Sequence, residues 1–186
     1  SIAIAGSSAS QSLESFVWVS MNAVAQGSLT FVSQNMGAHK IDRVKRTVLL
    51  SLGSVCVVGL LIGGICILMR NTLFSIYSKN PLVIEKASER FFVIASSYFT
   101  CGVMDVMANC LRGIGRSLMP AFVTLFFVCG SRLIYLFTVF RIEKIYSFQN
   151  IFISYPLSWI LTFSILLVAF SQILKKEKVI KSNANL

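Results

Sequence analysis

Charge is scarce in this chain. Only 13% of its 186 residues are charged and 55% are hydrophobic, whereas a soluble domain carries about 25% charged residues. Proline occurs three times against 15 phenylalanines, which excludes collagen-like repeats and Pro-rich disorder. Histidine occurs once, at His39, with no second histidine or cysteine close in sequence to complete a metal site. No Ser/His/Asp arrangement and no glycine-rich phosphate loop is present, so the chain does not read as an enzyme. The five cysteines, Cys56, Cys66, Cys101, Cys110 and Cys129, all lie in apolar runs at none of the spacings that bind zinc. They read as small hydrophobes rather than ligands or a disulfide framework.

Acidic residues are also few, seven against 17 basic ones, for a net charge of +10. The basic residues stand between apolar stretches rather than on one continuous face, which disfavours nucleic acid as a partner. The start, "SIAIAGSSASQ", has neither an initiator methionine nor the basic opening of a signal peptide. We therefore expect the C-terminal part of something longer.

What the chain has is long uncharged runs, and the mean hydropathy is +0.77. A helix crossing the hydrocarbon core needs about 20 residues. Residues 15–38 and 47–69 hold no charge, residues 91–111 hold only Asp105, residues 117–140 only Arg132, and residues 145–174 none. These runs predict an all-α integral membrane protein with five spans over 15–38, 47–69, 91–111, 117–140 and 145–174. Residues 1–14 then read as the remnant of a preceding loop or helix end, and residues 175–186 as a basic tail. The segments 39–46, 112–116 and 175–182 together carry ten Lys/Arg; Arg70, Lys79, Lys86, Arg90, Arg141 and Lys144 fall on the other side, diluted by Glu85, Glu89 and Glu143. The positive-inside rule puts the richer side, and with it the C-terminus, in the cytoplasm of a multi-pass protein of the cytoplasmic membrane.

Polar residues inside the spans are the candidates for function. A carboxylate in a bilayer costs a few kcal/mol, so Asp105 is expected to face the protein interior or a wet cavity. Tyr98, Cys101, Asp105 and Asn109 share one face of their helix. The plain alternative is an aspartate held by Asn109 or a neighbouring hydroxyl as interhelical glue. Pairing with Arg132 is not expected, because Asp105 stands about 10 Å and Arg132 about 23 Å from the cytoplasmic ends of their spans, at 1.5 Å per residue; Arg132 is expected to snorkel outward. Asn22, Gln26 and Thr30, followed by Ser33 or Gln34, form a second stripe, either helix–helix hydrogen bonding or a cavity wall. Ser154, Ser158 and Thr162 form a third, around Pro156. Gly59 and Gly63 suggest close helix packing.

"TFVSQNMGAHKIDRVKR" at 30–46 and "LRGIGRSLMPAF" at 111–122 stand in successive helix–loop units. With "SRLIYLFTVF" and "SYPLSW" behind them, they resemble the second half of multidrug and toxic compound extrusion (MATE) transporters, over essentially the whole chain. The resemblance implies helices eight to twelve of a twelve-helix antiporter of two six-helix lobes, which exports cationic or amphipathic compounds against Na⁺ or H⁺ and needs no other cofactor. Helix seven and the first lobe would be the missing partners. By that likeness Asp105 binds the coupling cation or proton with Tyr98 and Asn109 shaping its site, or the coupling site lies in the absent lobe, since some members carry their coupling aspartate at the position of Cys101. A lipid-linked saccharide flippase of the same superfamily, and a non-transporting subunit that needs a separate partner lobe, are the rival readings.

Overall fold

A computed structural model describes residues 2–138 and 148–184. The backbone in these residues is helical almost throughout: α1 (Ile2–Gly37), α2 (Ile41–Leu68), α3 (Arg70–Tyr77), α4 (Pro81–Gly113), α5 (Leu118–Thr124), a π-helical turn over Leu125–Cys129, α6 (Gly130–Thr138) and α7 (Phe148–Ala184). In lipid every peptide group must find its partner inside the segment, and helices achieve this. Among the described residues four stretches are long and apolar enough to cross a membrane: Ile41–Leu68, Pro81–Gly113, Leu118–Tyr135 and Ser154–Glu177. α1 is long enough at 36 residues but is not among the four, because its serines, asparagines and glutamines dilute its hydropathy. The outward surface is apolar, with Leu49, Val57, Leu61, Phe122, Phe126, Phe137 and Val168 all more than half exposed. Such a surface suits lipid rather than water. The chain is an all-α membrane protein.

Helix boundaries differ from the charge-free runs because a helix does not end where its lipid contact ends. α1 starts at Ile2 and α7 continues to Ala184, so the stretches read as a remnant and a tail are helical extensions. Residues 139–140 and 145–147 of the expected spans, and Arg141, Glu143 and Lys144, lie outside the described residues.

α4 is the centre. Its buried face carries Phe91, Ile94, Met107 and Leu111, and α1, α2 and α7 each pack against it. α1 runs parallel to α4 at a constant offset: Gly6 meets Val83 and Ala87, Met21 meets Gly102, and Leu29 and Val32 meet Gly113. α7 presents Ser158, Trp159, Thr162, Leu166 and Phe170 to the core. Ser158 Oγ donates to the Tyr155 carbonyl and Thr162 Oγ1 to the Ser158 carbonyl, both at 2.7 Å, so two members of the third polar stripe donate within their own helix on a packing face. Phe74 of α3 meets Phe91 edge to face at 5.8 Å. α4 begins with Pro81 behind Asn80, whose side chain accepts from Leu82 N at 3.0 Å, the capping expected of that pair.

α1 and α4 end in the same way. After α1, the His39 N–H donates to the Met36 carbonyl and the Lys40 N–H to the Asn35 carbonyl, both at 2.9 Å. After α4, Gly115 N–H donates to Arg112 O at 2.9 Å and Arg116 N–H to Leu111 O at 3.1 Å. Each is a Schellman turn with its pivot in the left-handed region, His39 at φ 55° and Gly115 at φ 84°. Gly113 serves another need: a Cβ there would stand 2.9 Å from the Leu29 carbonyl oxygen, so it admits α1. We expect Gly115→Ala to lower stability by about 1–2 kcal/mol through left-handed strain alone, measured as an earlier thermal transition in detergent.

Candidate functional site

The parallel register of α1 and α4 sets the site. It brings Trp18 to Asp105, and Trp18 Nε1 donates to Asp105 Oδ2 at 3.0 Å. Asp105 is half-buried, while the Trp18 ring remains 39% exposed. Tyr98, two turns along α4, is half-buried and packs edge-on against Trp159 of α7 at 5.5 Å. Glu14, Ser15, Trp18, Tyr98, Cys101, Arg132, Tyr155 and Trp159 line an open cavity of about 280 Å³ between α1, α4, α6 and α7.

Asn109 does not belong to that cavity as expected. Its Nδ2 donates to the Asp105 backbone carbonyl at 3.0 Å, and its Oδ1 accepts from Arg112 at 3.2 Å. An amide one turn after the aspartate reaches the helix backbone more easily than the carboxylate, so Asn109 ties the end of α4 and Trp18 holds the carboxylate. Arg132 also departs from expectation. Instead of snorkelling outward it lies 4.1 Å over the Tyr155 ring and 6.0 Å from that of Trp159, with Nε donating to Ser158 Oγ at 3.4 Å. A planar guanidinium gains more from an aromatic face in a desolvated setting than a long reach to the headgroups would return.

Asn22, Gln26 and Thr30 continue the α1 face that Ser15 and Trp18 present to the cavity, but their hydrogen bonds stay within α1. Gln26 Nε2 donates to Asn22 Oδ1 at 3.4 Å and Thr30 Oγ1 to the Gln26 carbonyl at 3.3 Å, with Gln26 and Thr30 exposed. They form a polar track leading away from the cavity rather than part of its wall.

The charge-run reading passed over the strongest electrostatic feature. Glu14 and Arg90, at 7% and 9% exposure, pair across α1 and α4 with Nε–Oε1 at 3.1 Å and NH2–Oε2 at 3.3 Å. Ser10 Oγ donates to the same carboxylate at 2.7 Å, and Arg90 also donates to Ser7 Oγ. Both residues sit one position outside an uncharged run, where a charge reads as a boundary. The serines at 7 and 10, beside a glutamate at 14, were the available signal. Among the described residues no group of three His, Cys, Asp or Glu is placed to hold a metal ion.

An all-helical membrane protein with a cavity walled by one carboxylate, an arginine and aromatic rings, and with a polar track beside it, fits a membrane transporter. Comparison with known proteins names the family. The MatE family model matches residues 1–138, and the chain belongs to this family of membrane transporters. It is similar to a protein named FAD transporter from Shewanella oneidensis, 28% identical over 123 residues, which are 66% of this chain. The match spans 27% of that relative's length.

Proposed function

We propose that these helices form most of one lobe of a secondary antiporter of the cytoplasmic membrane, with α1 as a fifth span, the basic ends and the C-terminus cytoplasmic, and a further helix and lobe as partners. It exports flat amphipathic compounds, cationic drugs first among them, against Na⁺ or H⁺. The observation that carries this reading is the cavity, which Trp18, Tyr98, Tyr155 and Trp159 line with aromatic rings and at whose edge Trp18 holds the Asp105 carboxylate. Asp105 takes the coupling cation or proton, because its carboxylate is bonded by one indole N–H at the cavity's edge. Glu14 is already neutralised by Arg90.

A flavin nucleotide is the second reading, favoured by the relative's name and by Arg132, whose charge in the cavity suits an anionic group beside a stacked ring. The lipid-linked saccharide reading would need further cationic groups facing the cavity, and Arg90 is engaged with Glu14. Efflux from cells expressing the complete transporter tests the proposal. Asp105→Asn at normal membrane expression should abolish dye efflux, and the dependence on Na⁺ should name the ion. Unchanged efflux would return Asp105 to the role of interhelical glue. Export of flavin nucleotide with dyes retained inside would establish the second reading.

A further inference from the structure

The face of α4 opposite the polar cavity carries a second feature. Met107 points about 200° round the helix from Asp105, at about 100° per residue. α2 and α7 each pack on α4 here and leave a groove of about 370 Å³ between them, floored by Val48, Leu52, Met107, Leu167 and Phe170. Among the described residues two charged ones line it, Lys45 and Lys175, and no acidic one does. α2 and α7 are antiparallel, so the lysines stand at the same end of the bundle, each in a basic segment of the sequence.

The dimensions are those of one leaflet. From Lys45 to Leu52 the groove follows α2 for about 10 Å, and from Lys175 back to Leu167 it follows α7 for about 12 Å, at 1.5 Å per residue. Half of the hydrocarbon core is about 15 Å deep. The ammonium groups therefore sit at headgroup level when the apolar floor sits among acyl chains. Both lysines are exposed and able to meet a ligand's charge. A cationic ligand finds nothing to pair with, and a free inorganic anion makes no use of the floor.

We propose that this groove binds an anionic phospholipid of the leaflet at the basic end, its phosphate held by Lys45 and Lys175 and one acyl chain lying on Met107. The site is separate from the transport cavity, and its ligand is membrane lipid rather than cargo.

The test uses the complete transporter in phosphatidylcholine nanodiscs, with spin-labelled phosphatidylglycerol and spin-labelled phosphatidylcholine compared by electron paramagnetic resonance. Wild type should prefer the glycerol lipid about twenty-five-fold, roughly fivefold for each lysine near the surface. Lys45→Gln with Lys175→Gln should remove that preference. Lys40→Gln with Lys176→Gln, an equal loss of charge at neighbouring exposed positions, should leave it. Equal loss in both pairs would overturn the site in favour of diffuse surface charge. Absence of any immobilised lipid in wild type would overturn it in favour of a groove filled by another helix. Displacement of the lipid by inorganic phosphate at equal concentration would overturn the part assigned to the acyl chain. None of these readings depends on transport.

Discussion

Glu14→Ala is expected to destabilise the protein by about 3–5 kcal/mol, because it removes the carboxylate that neutralises Arg90 at 9% exposure. The pair itself contributes less than that figure suggests. Two desolvated ions only partly recover in mutual attraction what they lose in hydration, so the large effect belongs to breaking the pair, not to having it. Removing both charges separates the two. Glu14→Leu with Arg90→Met should recover most of the loss, since Ser7 and Ser10 can turn back to the helix carbonyls as Ser8, Ser12 and Ser15 already do. Cys66, Cys101 and Cys110 are free and buried, so a thiol-reactive dye added during heating reads unfolding directly. A double variant as unstable as Glu14→Ala would show that the pair sets the register of α1 on α4.

Gly102→Val is expected to lower stability by about 3 kcal/mol. Three helices meet at this glycine: a Cβ would lie 2.7 Å from Val55 Cγ2 of α2 and 2.8 Å from Met21 Sδ of α1. The methionine end can swing aside, but it is already confined from the other side, since a Cβ at Gly59 would also lie 2.8 Å from the same sulfur. The valine methyl is held by its own branched rotamer. Val55→Ala should therefore rescue part of the loss, whereas Gly64→Ala, where a Cβ meets nothing within 4 Å, should leave the same dye transition in place or raise it slightly.

Much of the fold was legible because lipid imposes a simple rule: long apolar runs become helices, and α2, α4 and α7 lie within a few turns of their runs. Asp105 was legible as a polar residue in a dry span, and Tyr98 and Cys101 as its neighbours on one helix face. The partner of Asp105 was not. Trp18 reaches it only because α1 and α4 are parallel at one offset, and a pairing of residues 87 positions apart in sequence leaves no periodic trace along either helix. Glu14 and Arg90 were hidden by the same reasoning that found the spans, which treats a charge at the edge of a run as a boundary. Arg132 was misplaced because depth along a helix was legible while the rings of α7 facing it were not. Gly59 was read correctly as a packing position; Gly63 leaves more room, with 3.7 Å to the nearest α4 atom.

The constant offset between α1 and α4 has a mechanical meaning. From Gly6 to Val32 the two rods are fastened at intervals over about 40 Å at 1.5 Å per residue, by an ion pair, an indole hydrogen bond and glycines that leave no clearance. A pair of rods bolted in parallel resists bending far more than either alone, as a laminated beam does. Pro120 is the buried residue of α5, and the π-helical turn after it buries none, so the wall that leads to Arg132 is the less closely fastened one. Glu14 and Asp105 ride on the fastened side and the arginine on the looser one.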